Sequence, residues 1–287
     1  RCRTDSRQEL VPMGTTLAQS FALTDSWGAS NTAAGVIDQT GTPHITGDTE
    51  YRFRLASVSK LVTAWAALIS VEDGSVSLDD QVGQEGCTLR HLLAHAGGYG
   101  FDNGAPIISP GRKRVYSNTA YEMLAAHVAA HVEMEFDEYV FESVFAPLGM
   151  SSSELLGSPA ADIHSTISDL ALFAAELRTP KLLARSTYIE ATTPQFGDLE
   201  GVVPGVGRFD PCPWGLGPEI HGAKSPHWMA TRNSASTFGH FGGSGTFIWI
   251  DPVANVACFA LSNREFGDWA LDAWPQFGDA VLNELGR

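Results

Sequence analysis

The sequence predicts an α+β chain: a sheet domain assembled from both ends of the polypeptide, with an all-helical lobe inserted in its middle. Three observations predict it. Strand patterns occur up to Leu55 and again from Thr237, but hardly any occurs between about residues 80 and 195. That middle stretch carries helical patterns instead. The composition, 287 residues with 44% hydrophobic and 18% charged content, is that of a globular protein with enough chain for a sizeable core. The expected division is a discontinuous sheet domain, 1–80 and 195–287, around a helical domain, 81–194.

Taken in order, residues 1–15 are polar, carry Arg1, Arg3 and Arg7, and are expected to be loosely held. A short helix is expected from Thr16 to Leu23. Ala33 to Asp38 and His44 to Gly47 read as two strands joined by the turn at Gly41-Thr42-Pro43. Apolar and basic residues alternate from Tyr51 to Leu55, which predicts a strand running directly into a helix that stops near Asp73-Gly74. Further helices are expected at Leu89 to His95, closed by Gly97-Gly98, and at Tyr121 to Val132, Phe136 to Phe145, Ile167 to Leu177 and Ser186 to Ala191. A Gly/Pro-rich stretch, Pro194 to Gly217, leads to strands at Thr237 to Ile250 and Ala254 to Ser262, with Asp251-Pro252 at the turn. A last helix runs from Trp269 to Leu285.

A formal charge of −15 excludes a general nucleic-acid binder, because no basic field gathers phosphates, and Arg112-Lys113-Arg114 is too short to reverse that. No segment has the length of a membrane span; the longest apolar run, Leu61 to Ile69, reads as a core helix. Cys2, Cys87, Cys212 and Cys258 are widely spaced with no C-x-x-C, which argues against a structural zinc site and a thioredoxin-like pair. No leader pattern opens the chain, but a processed chain would carry none, so the compartment and the oligomeric state stay open.

Three motifs carry chemistry. Ser57 sits at the expected helix N-cap with Lys60 three residues on, so hydroxyl and amine share a face at a helix N-terminus that favours negative charge. A plain N-cap serine beside a solvated lysine is the bland alternative, and S-x-x-K arises by chance in about one such chain in three. Tyr116-Ser117-Asn118 precedes a helix; the phenol and the carboxamide can serve one cleft, or Asn118 can simply cap that helix. His240-Phe241-Gly242-Gly243 opens a glycine-rich strand, where glycines mark the close approach of a ligand or of another backbone.

In this order, Ser57-x-x-Lys60, Tyr116-x-Asn118 and His240-Phe241-Gly242 resemble the penicillin-recognising serine hydrolases, and within them the class C β-lactamase-like branch with its DD-peptidases and esterases. Thr88 to Gly98, Pro147 to Met150 and Ser165 to Leu170 are similar to further stretches of that family. The resemblance implies a β-lactamase/DD-peptidase-like fold, an antiparallel sheet flanked by helices plus the inserted helical lobe, with the active site between the two domains. It implies Ser57 as the nucleophile that forms an acyl-enzyme, and Lys60 and Tyr116 as the pair that moves its proton. Asn118, His240 and Gly242 would contact substrate, and the backbone N–H groups of Ser57 and Gly243 would form the oxyanion hole. No cofactor or metal is implied.

The family's third motif usually begins with a lysine; here His240 is mostly neutral at pH 7. That favours a carboxylic ester or D-amino-acyl amide over efficient β-lactam hydrolysis. β-Lactamase or DD-carboxypeptidase activity is the alternative, and an inactive binding or regulatory protein on the same fold is the non-enzyme alternative. The expected partner is a small ester, amide or peptide. His127 and His131, like His91 and His95, have the spacing of a zinc pair but lack the glutamate of the metalloprotease signature, and read as surface or packed histidines. No serine lies in G-x-S-x-G. Trp214, Trp228, Trp249 and Trp269 read as packing residues before acyl-pocket walls.

Overall fold

Phe247 to Ile250 and Val256 to Ser262 carry almost no polar side chain, which suits strands covered on both faces. The computed structural model describes residues 17–287; the expectations for residues 1–16, Cys2 included, lie outside the described residues. In chain order the first elements are α1 (Ala18–Ala22), β1 (Thr32–Ile37), β2 (Pro43–Gly47), β3 (Phe53–Arg54), α2 (Ser59–Glu72) and α3 (Leu89–Leu93). Then come α4 (Asn118–Val132), α5 (Phe136–Val140), α6 (Ala146–Leu148), β4 (Glu154–Leu155), β5 (Ile163–Ser165), α7 (Ile167–Arg178) and α8 (Arg185–Ala191). The C-terminal part holds β6 (Gly201–Val203), β7 (Gly207–Phe209), β8 (Glu219–Ile220), β9 (Phe238–Gly242), β10 (Thr246–Asp251), β11 (Val256–Ser262) and α9 (Asp268–Glu284).

The main sheet has six strands in the order β2-β1-β11-β10-β9-β8, and every pairing is antiparallel. β1 lies beside β11, with Thr32 opposite Ser262, so the two ends of the chain close one sheet as expected. Alternate residues feed two cores. Ile248, Ile250, Ala257, Phe259 and Leu261 face α2 and α7, whereas Phe247, Trp249, Cys258 and Ala260 face α9 and Trp27. Gly35 is small because Phe259 crosses it: a Cβ there would sit 2.2 Å from the ring. α2 is buried around most of its circumference, and its Trp65 indole donates to the buried Glu176 of α7 at 3.3 Å. α7 itself packs on β1 and β11, and α3, α4 and α5 gather around α2 on the other side.

Several expectations change. Ser57 is not a helix N-cap: it lies in a 3-10 turn, Ala56–Val58, and α2 begins at Ser59. Asn118 does not cap α4 but is its first residue; Ser117 is the cap and accepts from Ala120 N at 3.0 Å. Both residues are good cap formers, and the extended backbone of Ser117 decides between them. The Thr237 to Ile250 stretch is a hairpin of two strands turning at Gly243–Gly245. The stretch read as helical includes β4 and β5, which form a small sheet with β3 in the order β3-β5-β4, and the Gly/Pro-rich segment holds the β6–β7 hairpin. The helix expected at 136–145 is α5 followed by a π-helical turn, Phe141–Phe145. Cys87, Cys212 and Cys258 are buried thiols. Among the described residues no helix is long and apolar enough to cross a membrane.

Candidate active site

Three backbone segments meet at Ser57. The first is its own turn. Ala56, just before it, holds φ at 46°, a left-handed conformation that costs a residue with a Cβ and swings the chain sharply from β3 into α2. The second is β9, packed so close to that turn that a Cβ on Gly242 would lie 2.4 Å from the Leu55 carbonyl oxygen. Thr246 Oγ1 donates to the same carbonyl at 2.7 Å, and Ser244 Oγ to that of Arg54 at 2.7 Å. The third is the approach to α4, which brings in Tyr116 and Asn118.

Lys60 lies fully buried in the first turn of α2. Its Nζ stands 3.3 Å from Ser57 Oγ, 2.5 Å from Asn118 Oδ1 and 2.9 Å from the Ala160 carbonyl oxygen. It also lies 4.8 Å from the centre of the Tyr116 ring. Burial pulls its pKa down to about 7, against the opposing charges of Asp102 and Glu122. Asn118 in turn donates from Nδ2 to Asp102 Oδ1 at 2.9 Å, which orients its amide oxygen towards Lys60.

Tyr116 OH is 3.5 Å from His240 Nε2. Burial pushes the phenol above its ordinary value, against the nearby Ser57 hydroxyl, so Tyr116 is a neutral donor near pH 7. His240 lies 2% exposed, and its Nδ1 donates to its neighbour's Phe241 carbonyl at 2.7 Å. Burial, reinforced by Lys60, pulls its pKa down to about 4, so the ring is neutral, as the sequence led us to expect.

Ser57, Phe101, Tyr116, Trp214, His240 and Gly243 all line one cavity of 260 Å³ with mostly apolar walls. Gly243 is exposed, whereas Gly242 is buried against the Ser57 turn. The arrangement puts a hydroxyl and a phenol on one apolar cavity with a partly neutral amine buried behind the hydroxyl, a combination that can serve nucleophilic chemistry.

The surroundings contain residues that sequence reasoning missed. Arg114 is 2% exposed and donates only to backbone carbonyls, those of Ala94, Gln195, Phe196 and Cys212, tying four segments together beneath Tyr116. His95 packs against Tyr116 with the rings tilted and their centroids 4.5 Å apart, and accepts the Ser117 N–H at 3.2 Å. Behind Trp214 lies a buried ionic cluster. Glu219 accepts from Lys224, His227 and the Trp228 indole, each at 2.8 Å. None of these has a sequence motif: Arg114 ends the basic run 112–114, and Glu219, Lys224 and His227 lie in a mixed stretch of polar, glycine and proline residues. Trp228 and Trp249 are core residues, and Trp269 packs on Trp27; Trp214 is both buried and a cavity wall.

The other histidine pair separates. His91 takes the Thr88 N–H at 3.2 Å in a capping box and stacks on Phe196, away from His95. Among the described residues, the convergent group of His and Asp ligand atoms lies outside the cleft, at Asp80, His127 and His131.

The antiparallel sheet with α7 and α9 on its two faces and Ser57 at the head of a central helix defines the fold of the β-lactamases and DD-peptidases. The chain matches the family described as Beta-lactamase over residues 25–156 and 152–281, and it belongs to the β-lactamase family. It is similar to the solved structure of a β-lactamase from Mycobacterium bovis, with 45% identity and a TM-score of 0.91, covering 93% of this chain and 99% of that one. The fold is also shared with a simvastatin synthase from Aspergillus terreus at 15% identity and a TM-score of 0.76, over 93% and 98% of the two chains. Among curated proteins, penicillin-binding protein 4* of Bacillus subtilis is 26% identical over 136 residues, 36% of this chain and 30% of that protein. The chain spans less than half the length of the curated relatives it matches.

Proposed function

We propose that the protein is a serine hydrolase that cleaves uncharged carboxylic esters through an acyl-enzyme. The observation that carries this is the buried Lys60 amine, 3.3 Å from Ser57 Oγ with its pKa drawn down to about 7. Neutral Lys60 takes the Ser57 proton as Oγ attacks the ester carbonyl. The backbone N–H groups of Ser57 and Gly243 hold the resulting oxyanion, a contribution of about 3–4 kcal/mol per donor in a comparable hydrolase. Collapse expels the alcohol, which leaves protonated by way of the Tyr116 hydroxyl and Lys60. Water then repeats the sequence on the acyl-Ser57 ester, with the proton again passing to Lys60. Of the two residues, Lys60 is the better base because burial lowers its pKa, whereas burial raises that of Tyr116.

Substrate preference follows from the cavity wall. Neutral His240 offers no fixed cation to a substrate carboxylate, and Phe101, Trp214 and Phe266 present apolar surface to an acyl group. A D-amino-acyl amide or β-lactam is the second reading, supported by the 45% identity to the mycobacterial β-lactamase. The test is labelling by a serine-directed fluorophosphonate, together with rates on p-nitrophenyl esters and on nitrocefin. Wild type should be labelled and should prefer the esters; Ser57→Ala should lose labelling and about 10⁶-fold in kcat. Equal labelling of both proteins would remove Ser57 as the nucleophile.

A further inference from the structure

His127 and His131 read as surface or packed histidines in the sequence because Val128 stands where the metalloprotease signature has a glutamate. The fold supplies a third ligand. Both project from α4 one turn apart, ring centroids 4.2 Å apart, and Asp80 reaches them from the segment between α2 and α3. His127 Nε2 stands 3.0 Å from Asp80 Oδ2, and one ligand atom from each of the three residues lies within 4.8 Å of the other two. We propose that Asp80, His127 and His131 form a binding site for a divalent transition ion of the zinc class, with water completing the coordination.

The donor set selects the ion. Two imidazole nitrogens and one carboxylate suit zinc, cobalt, nickel or copper, whereas magnesium and calcium need several oxygens. The ligands are already oriented. His131 Nδ1 lies 2.8 Å from the His127 carbonyl, so Nδ1 carries the proton and Nε2 presents its lone pair. The Asp80 carboxylate is held in place by the Ser77 amide, which donates to Oδ2 at 2.9 Å. Ligand atoms on a tetrahedral zinc stand about 3.3 Å apart. Asp80 Oδ2 and His127 Nε2, 3.0 Å apart, are close to that separation, and the exposed His131 ring, pivoting about its bond to the His127 carbonyl, closes the remaining distance. Bound there, the ion ties α4, whose first residue is Asn118, to the segment that precedes α3. Its role is to stiffen that connection, since it lies outside the cavity at Ser57.

His131 is the discriminating residue, because the His127–Asp80 pair forms without it. Chelator-stripped protein should be titrated with zinc by calorimetry and with cobalt by visible absorption. Wild type should take up about one ion per chain in the micromolar range, melt several degrees higher with zinc, and give cobalt d–d bands of a site with nitrogen ligands. His131→Gln should lose the uptake, the bands and the thermal shift, while its melting temperature in chelator stays that of wild type. Absence of saturable uptake by wild type, or uptake undiminished in His131→Gln, would overturn the proposal. Neither readout depends on ester hydrolysis.

Discussion

Lys60 sits at zero exposure, where a full positive charge is hard to keep, and its neighbours decide how hard. Only the neutral amine accepts the Ser57 proton, so ester kcat/KM should climb about tenfold per pH unit on the acid side and level off above a pKa of about 7. Asp102 favours the charged amine. Replacing it by Asn keeps an acceptor for Asn118 but removes the charge, so the acid limb should move to lower pH; a limb that stays in place would mean Asp102 does not tune Lys60. The same reasoning applies to His240. A neutral ring gives a substrate carboxylate nothing to pair with, so His240→Lys should raise the rate on nitrocefin relative to a short-chain ester. An unchanged ratio would shift the cause of preference to the cavity walls.

At the scale of elements, the site depends on β8 to β10 holding their edge against the turn that carries Ser57. Gly242 permits the contact and the Thr246 and Ser244 hydroxyls fasten it. Behind this edge, Glu219 on β8 carries the buried cluster with Lys224, His227 and Trp228. Lys224 and His227 hold its carboxyl well below the ordinary range despite burial. Replacing the cluster with apolar groups is a different matter from breaking it. Glu219→Ala leaves a lysine ammonium buried without its counter-charge and should cost about 3–5 kcal/mol, read as a lower urea midpoint. Trp214 lies 5.9 Å from Lys224 Nζ, so the same change should disturb the cavity and lower ester turnover beyond the loss of folded protein. A variant as stable as wild type would show that the cluster is solvated more than its burial implies.

For the whole molecule, one sheet is closed by β1 and β11, strands far apart in the chain, and α2 is enclosed by α4, α5, the turn at 141–145 and β9. Ser57 and Lys60 are local in sequence, whereas the cavity that Ser57 lines is assembled from Phe101, Tyr116, Trp214 and the 240–243 edge. The candidate site therefore forms only when the long-range pairing of β1 with β11, and of β9 with β10, has formed. α4 links the candidate active site to the proposed ion site, opening with Asn118 and carrying His127 and His131 further along.

The sequence by itself determined the parts whose physics is local. Ser57 and Lys60 meet because three residues of tight turn and helix bring them to one face. β10 and β11 were legible because strands covered on both faces are apolar throughout, and His240 was legible as a neutral group from its residue type. Strand β3 showed in the alternation of Tyr51 to Leu55, whereas β4 and β5, of two and three residues, left no alternating pattern; their pairing across the chain defines them. Only the tertiary structure decided which of Lys60 and Tyr116 has its pKa drawn toward neutrality, because burial sets that and sequence does not encode burial residue by residue. It likewise decided that Asp80 stands beside His127, 47 residues away, and that Glu219 lies beneath Trp214 rather than on the surface. Both are contacts between segments whose separation along the chain carries no periodic signal.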